Sequence, residues 1–200
     1  MSRFGISKSA AGPALALFIL LGGCVGASAA QADYDVEVSL PREIFNFHVV
    51  APGLMRGSQP SEAAIKTLRD HCGVRTVLSL RQDRGSIQWE QKIVEALGMT
   101  YISVPMDSGQ RQPVDKIEGC LRILRDPSRQ PVFVHCQQGK DRTGMVIAAY
   151  RMQVQNWSFE DALSEMHVYG YSRSCCSALE QSLLEWTRRD ANQFSPRQNP

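Results

Sequence analysis

Between residues 45 and 191 the chain alternates short apolar runs with longer stretches in which apolar residues recur every three or four positions. The short runs read as strands over 47–50, 53–56, 75–80 and 99–104, with a fifth strand ending at His135. The longer stretches predict helices over 61–71, 87–97, 113–125, 143–154, 158–169 and 176–191. Several boundaries have local causes: Ser61 and Glu62 follow Pro60, and Ser158 with Asp161 forms a capping-box pattern. Strands that alternate with helices in this way predict an α/β fold, a single domain with a mostly parallel central sheet of four to five strands flanked by helices. No internal repeat or low-complexity stretch interrupts it.

Composition adds the bounds. With 200 residues and 43% apolar content the chain can bury one core of ordinary size. Residues 1–23 read as an export signal: Arg3 and Lys8 form a basic start, 14–21 an apolar stretch too short to span a membrane, and acids are absent until Asp33. Leu21 Gly22 Gly23 Cys24 resembles a bacterial lipobox, so Cys24 is the expected lipidation site. Cleavage after Ala27 Ser28 Ala29 is the alternative. The expected product is an exported, periplasmic, membrane-anchored lipoprotein. It would comprise an N-terminal segment 24–44 and a tail 192–200, both loosely held, around a catalytic domain over 45–191. Loss of the signal takes the net charge from +2 to zero, which gives no reason to expect a nucleic acid partner.

The chemistry concentrates in His135 Cys136 Gln137 Gln138 Gly139 Lys140 Asp141 Arg142 Thr143 Gly144, between the strand that ends at His135 and the helix that follows. Gly139 permits a sharp turn, and the amide N–H groups of residues 137–141 converge at a helix start, where partial positive charge collects. Arg142 adds a planar fork matched to two phosphoryl oxygens. These surroundings depress a thiol pKa and make Cys136 a nucleophile. Phosphomonoester hydrolysis through a cysteinyl-phosphate uses all of these parts. Thr143 would hydrogen-bond the sulfur, and His135 would organise the loop backbone and tune the thiolate without transferring protons. Loop and arginine carry the charge stabilisation that Mg²⁺ gives elsewhere, so neither metal nor cofactor is expected. A nucleotide-binding P-loop is excluded, since Asp141 follows Lys140 where Ser or Thr is needed and Val134 stands at the first glycine position.

These residues fit the signature HCxxGxxR[ST]G, and at them the chain resembles the cysteine-based protein tyrosine phosphatase superfamily, most of all its small dual-specificity-type members. Met55 Arg56 Gly57 Ser58 Gln59 Pro60 is similar to a segment near the start of such domains, and VRTVLSLR over 74–81 to the strand after their first helix. The phosphotyrosine-recognition segment of the large receptor-type enzymes is missing. For the general acid, Asp107 lies just beyond the strand ending at Val104. Loops at the C-terminal ends of parallel strands open onto one crevice, which makes Asp107 the first choice. The resemblance adds that family members carry their acid in this loop. Asp141 competes because an aspartate stands before the arginine in myotubularin-type lipid phosphatases. Asp115 competes from the first turn of a helix.

Three functions stay open on sequence. The first is a protein tyrosine or dual-specificity phosphatase acting on a phosphorylated protein. The second is a phosphatase for polyphosphorylated lipid or inositol, which Lys140, Arg81 and Arg84 would suit and which the GKxRTG arrangement resembles. The third is an inactive phosphate-binding module. Of the remaining cysteines, Cys72 and Cys120 read as small core residues with one partner bridge open to them, and neighbouring Cys175 and Cys176 are not expected to bridge each other.

Overall fold

A computed structural model describes the protein over residues 43–194. The residues read as an export signal, Cys24 and the last residues of the tail lie outside the described residues. Five strands, β1 (His48–Ala51), β2 (Leu54–Gly57), β3 (Thr76–Ser79), β4 (Thr100–Ser103) and β5 (Val132–His135), form one sheet in the order β1-β2-β5-β3-β4. Only β1 runs antiparallel, in a hairpin with β2; the other neighbours are parallel. Helices α1 (Glu62–Asp70), α2 (Arg84–Ala96), α3 (Val114–Arg125), α4 (Asp141–Gln155), α5 (Phe159–Val168) and α6 (Arg173–Phe194) complete the chain.

The central strands are apolar without alternation because both of their faces are covered. Leu54, Leu78, Val132 and Val134 pack toward α3, α4, α5 and α6, while Met55, Val77 and Phe133 pack toward α1 and α2. Helix α4 crosses the first of these cores and is buried from Thr143 to Arg151, so it carries almost no polar face.

Three details differ from the sequence pattern. Helix α2 begins at Arg84, not at Ile87, because the Asp83 carboxylate accepts the Ser86 N–H at 2.8 Å and caps the helix one turn early. Helix α6 begins at Arg173, and Cys176 breaks its regularity with φ −135° and ψ 22°. Cys175 and Cys176 are disulfide-bonded, against the expectation that adjacent cysteines stay apart. The non-helical backbone at Cys176 supplies the freedom that two neighbouring side chains need to meet. Cys72 and Cys120 are free, the first half-buried and the second buried.

One ion pair ties the two ends of this core together. Arg151 in α4, with a side chain only 9% exposed, donates from Nε and Nη2 to the Glu165 carboxylate of α5 and from Nη1 to Val50 O of β1 at 3.0 Å. Its guanidinium also stacks 4.6 Å from the Trp157 ring centre. Removing the cation strands Glu165 in a site with little water. Arg151→Met should therefore lower the unfolding free energy by about 3 kcal/mol in urea denaturation. A loss below about 1 kcal/mol, the scale of a surface pair, would show that the bridge is not structurally important.

Candidate active site

Parallel strands in register bring their C-terminal ends into one row. Gly57, His135, Ser79 and Ser103 lie side by side across the sheet. The loops that leave this row are therefore neighbours, and each carries residues of the signature or of the flanking segments. Leu80 N–H donates to His135 O at 2.9 Å and Met106 N–H to Leu80 O at 3.3 Å, which extends the alignment past the strands.

The loop 136–140 is held from outside by its carbonyls. Cys136 O lies 3.0 Å from His135 Nδ1, Gln137 O accepts the Gln59 N–H at 3.2 Å, Gln138 O accepts Asn46 Nδ2 at 3.1 Å, and Gly139 O accepts Arg56 Nη2 at 2.6 Å. In a trans peptide the N–H points opposite to the carbonyl, so the amides of 137–140 face the other way, into the concavity of the loop. Gly139 has φ +69°, and a Cβ there would lie 2.6 Å from Gly57 C and O. No other residue fits that crossing.

Cys136 sits at the floor of this concavity, 2% exposed. Burial pushes its thiol pKa up, but the Thr143 hydroxyl, the Arg142 guanidinium and the N–H groups of Thr143 and Gly139 outweigh it, and the pKa lies below the ordinary thiol value. The contrast is Cys120, where burial acts almost alone and pushes the thiol up to about 12. Half-buried Arg142 donates from Nη1 to Met106 O at 3.3 Å, so the phosphate loop and the loop after β4 are joined.

Behind the nucleophile lies a buried charge pair. His135 Nε2 is 2.9 Å from Glu90 Oε1, both side chains are fully buried, and Glu90 also accepts the Tyr101 hydroxyl at 3.2 Å. The Cys136 carbonyl accepts from Nδ1 and a carboxylate lies 2.9 Å from Nε2, surroundings that favour the protonated ring. Burial opposes that charge, while Glu90 and the Cys136 carbonyl outweigh the burial and raise the His135 pKa above its ordinary value. Positive charge is thus favoured one residue from the Cys136 sulfur.

The candidate acids separate by location. Asp107, half-buried, follows the residue that Arg142 contacts; its carboxylate accepts the Gly109 N–H at 2.8 Å and its carbonyl accepts Gln112 Nε2 at 2.7 Å. Gln112 N–H is in turn tied to Ser182 Oγ of α6 at 2.8 Å. Asp141 is directed elsewhere, accepting the Ser172 N–H at 3.2 Å from the segment before α6. Asp115 is exposed in the first turn of α3. Lys140 extends over the Phe45 ring, 5.5 Å from its centre, and Arg81 donates to Ser86 Oγ at 2.9 Å, while Arg84 is an exposed first residue of α2. Among the described residues one group of three potential metal ligands occurs, Asp141 with Cys175 and Cys176, and its sulfurs are joined to each other, not free as thiolates.

Glu90, Asn46 and Arg56 have no counterpart in the sequence reading as site residues. Glu90 looks like one more charge on an amphipathic helix, although its place on the buried side of α2 is a signal that periodicity could have supplied.

The tyrosine phosphatase family's model matches residues 43–199. The chain belongs to this family. Relatives in the tyrosine phosphatase family include the dual specificity protein phosphatase TpbA of Pseudomonas aeruginosa, 30% identical over 63% of this chain and 55% of the relative. The inositol diphosphatase SIW14 of Saccharomyces cerevisiae is 28% identical over 70% of this chain and 50% of the relative. The chain spans about half the length of these curated relatives. Among solved structures, the core catalytic domain of the S. cerevisiae PP-IP phosphatase SIW14 with citrate superposes with a TM-score of 0.63 at 24% identity, covering 76% of this chain and 96% of that one. A Cys-to-Ser form of P. aeruginosa TpbA in complex with phosphotyrosine gives 0.59 at 25% identity, covering 74% and 85%. The five-stranded, mostly parallel sheet with flanking helices is the fold of these phosphatases.

The charge arrangement predicts a titration. Alkylation of Cys136 by iodoacetamide should have its pH midpoint below that of an ordinary thiol, and Glu90→Gln should raise the midpoint because His135 loses the carboxylate that keeps it charged. An unchanged midpoint in Glu90→Gln would show that the pair does not reach the thiolate.

Proposed function

We propose that the chain is a metal-independent phosphomonoester hydrolase of the protein tyrosine and dual-specificity type, working through a cysteinyl-phosphate. The observation that carries this reading is the Cys136 sulfur, its thiol pKa below the ordinary value, at the floor of a loop whose four carbonyls from 136 to 139 all have donors outside, leaving the amides for an anion. In the first step a lone pair of the sulfur attacks phosphorus, the S–P bond forms and the P–O bond to the leaving group breaks. Arg142 and the loop amides hold the three equatorial oxygens. Asp107 gives its proton to the departing oxygen. In the second step Asp107 takes a proton from water, the hydroxide oxygen bonds to phosphorus, the S–P bond breaks, and Thr143 and Arg142 stabilise the returning thiolate. The combined positive charge of loop and Arg142 meets the charge that a divalent ion would otherwise neutralise.

A phosphotyrosine-type substrate is supported by the phosphotyrosine complex of the TpbA relative and by the partners of the extra cations. Lys140 lies over Phe45 and Arg81 on Ser86, so neither is left as a ready second phosphate contact. The second reading, an inositol phosphate substrate, is supported by the SIW14 relative. The Arg3 to Cys24 pattern supports export with a lipid on Cys24.

Leaving groups of different basicity test the acid and the chemistry together. Asp107→Asn should slow hydrolysis of a phosphotyrosine peptide roughly a hundredfold, and p-nitrophenyl phosphate less, since nitrophenolate departs with little help. The same sensitivity appearing in Asp141→Asn would move the acid into the phosphate loop. Faster wild-type turnover of an inositol diphosphate than of phosphotyrosine peptides would favour the second substrate class. For the anchor, the full chain should fractionate with membranes and Cys24→Ala with soluble periplasmic protein. Recovery of both in the soluble fraction would contradict lipidation.

A further inference from the structure

Arg56 is an unusual occupant of a core. It is fully buried and, among the described residues, makes one hydrogen bond, to Gly139 O, with Nε and Nη1 lacking partners there. Its guanidinium carbon lies over the Tyr169 ring, 3.8 Å from the centre. Burial pulls its pKa below the ordinary arginine value. For stability alone an apolar side chain of this size would serve better, because a buried cation with so little compensation is costly. Asn46 is its neighbour in function. Its Nδ2 donates to Gln138 O at 3.1 Å and to Tyr169 O at 3.0 Å, and Asn46 holds φ +56° to do so. A non-glycine residue at positive φ is tolerated best when it is asparagine.

These contacts fall on consecutive peptide units. The carbonyl that Asn46 holds belongs to the unit whose N–H is that of Gly139, one of the groups that lower the Cys136 thiol pKa. The carbonyl that Arg56 holds belongs to the next unit, whose N–H is that of Lys140. A donor on a carbonyl fixes the orientation of its peptide and polarises it, so the N–H on the far side becomes a stronger donor. A charged donor does so more strongly than a neutral one.

We infer that Arg56 and Asn46, both outside the signature, are positioning residues of the phosphate site. From behind the loop they hold the Gly139 and Lys140 amides toward the thiolate and the bound phosphoryl group, with Tyr169 as their common support. The inference rests on the phosphatase reading of the same loop. Arg56 never touches substrate; it acts through the peptide it grips. The cost of burying its charge is offset where the loop gathers two negative charges, the thiolate and the phosphate. Loop, hairpin and the turn after α5 are thereby made one unit, since Asn46 precedes β1, Arg56 lies in β2 and Tyr169 follows α5.

The test uses the full chain and reads oxyanion binding apart from turnover. Tungstate affinity is measured by calorimetry, the Cys136 alkylation midpoint by iodoacetamide, and kcat and KM with p-nitrophenyl phosphate, for wild type, Arg56→Met, Arg56→Lys and Asn46→Ala. Arg56→Met should bind tungstate about tenfold or more weakly, the scale of one charged hydrogen bond. It should also raise the alkylation midpoint and lower kcat more than it raises KM. Arg56→Lys should recover part of the tungstate affinity, because it restores a charged donor, and Asn46→Ala should shift all three readouts the same way by a smaller factor. If Arg56→Met fails to fold, Asn46→Ala, a half-buried position, decides alone. Wild-type tungstate affinity and an unchanged midpoint in the folded variants would overturn the inference and leave the phosphatase reading standing. A wild-type chain that binds no tungstate would overturn both.

Discussion

The physical constraint on which the proposed chemistry depends is that two negative charges must share a buried pocket. Cys136 is 2% exposed, and on that proposal a phosphoryl group has to approach its thiolate. Neither charge is tolerable there unless donors already point at it, because unpaired charge in such surroundings is expelled or neutralised. The solution lies in the backbone. Four consecutive carbonyls of the loop are bonded from outside, so four amides have only the inside to face, and Gly139 makes the turn possible where any Cβ would strike Gly57. The sheet holds partners of those carbonyls in register: Arg56, next to last in β2, and His135, last in β5, sit one pair apart on neighbouring strands.

A second consequence is a distribution of fixed charge around the loop. Arg142 joins it to the loop after β4, His135 with Glu90 lies on the α2 side, and Arg56 behind it against Tyr169. Burial works against each of the two deeper cations. Glu90 opposes burial at His135, and Tyr169, Glu165 and the Cys136 sulfur oppose it at Arg56, in a polar seam at the C-terminal edge of the sheet between the α1/α2 core and the α3–α6 core. Stability alone would favour apolar side chains there, and their absence identifies the seam as belonging to the site.

Much of this is legible in the sequence, for definite reasons. The loop is read because its residues are contiguous, and the place of Asp107 in a neighbouring loop because parallel strands gather their C-terminal loops. The strands are read because β5 and β3, covered on both faces, are continuous apolar runs. What the sequence hides is long-range. Arg56 contacts a carbonyl at position 139, Asn46 bridges 138 and 169, and Glu90 meets His135; no spacing rule links such positions. The Cys175–Cys176 bridge is hidden for the opposite reason, since it depends on a local break in α6 that helical periodicity does not show. The early start of α2 follows from the Asp83 cap, which precedes the apolar period.

The central claim is that Cys136 becomes covalently phosphorylated. Rapid acid quench of the full chain during turnover of a phosphotyrosine peptide, followed by peptide mass spectrometry, tests it directly. The account predicts a single phosphoryl group on the peptide that carries Cys136, appearing before free phosphate and absent when Cys136 is alkylated beforehand. A phosphoryl group on any other residue, or turnover that persists after Cys136 is alkylated, would contradict it.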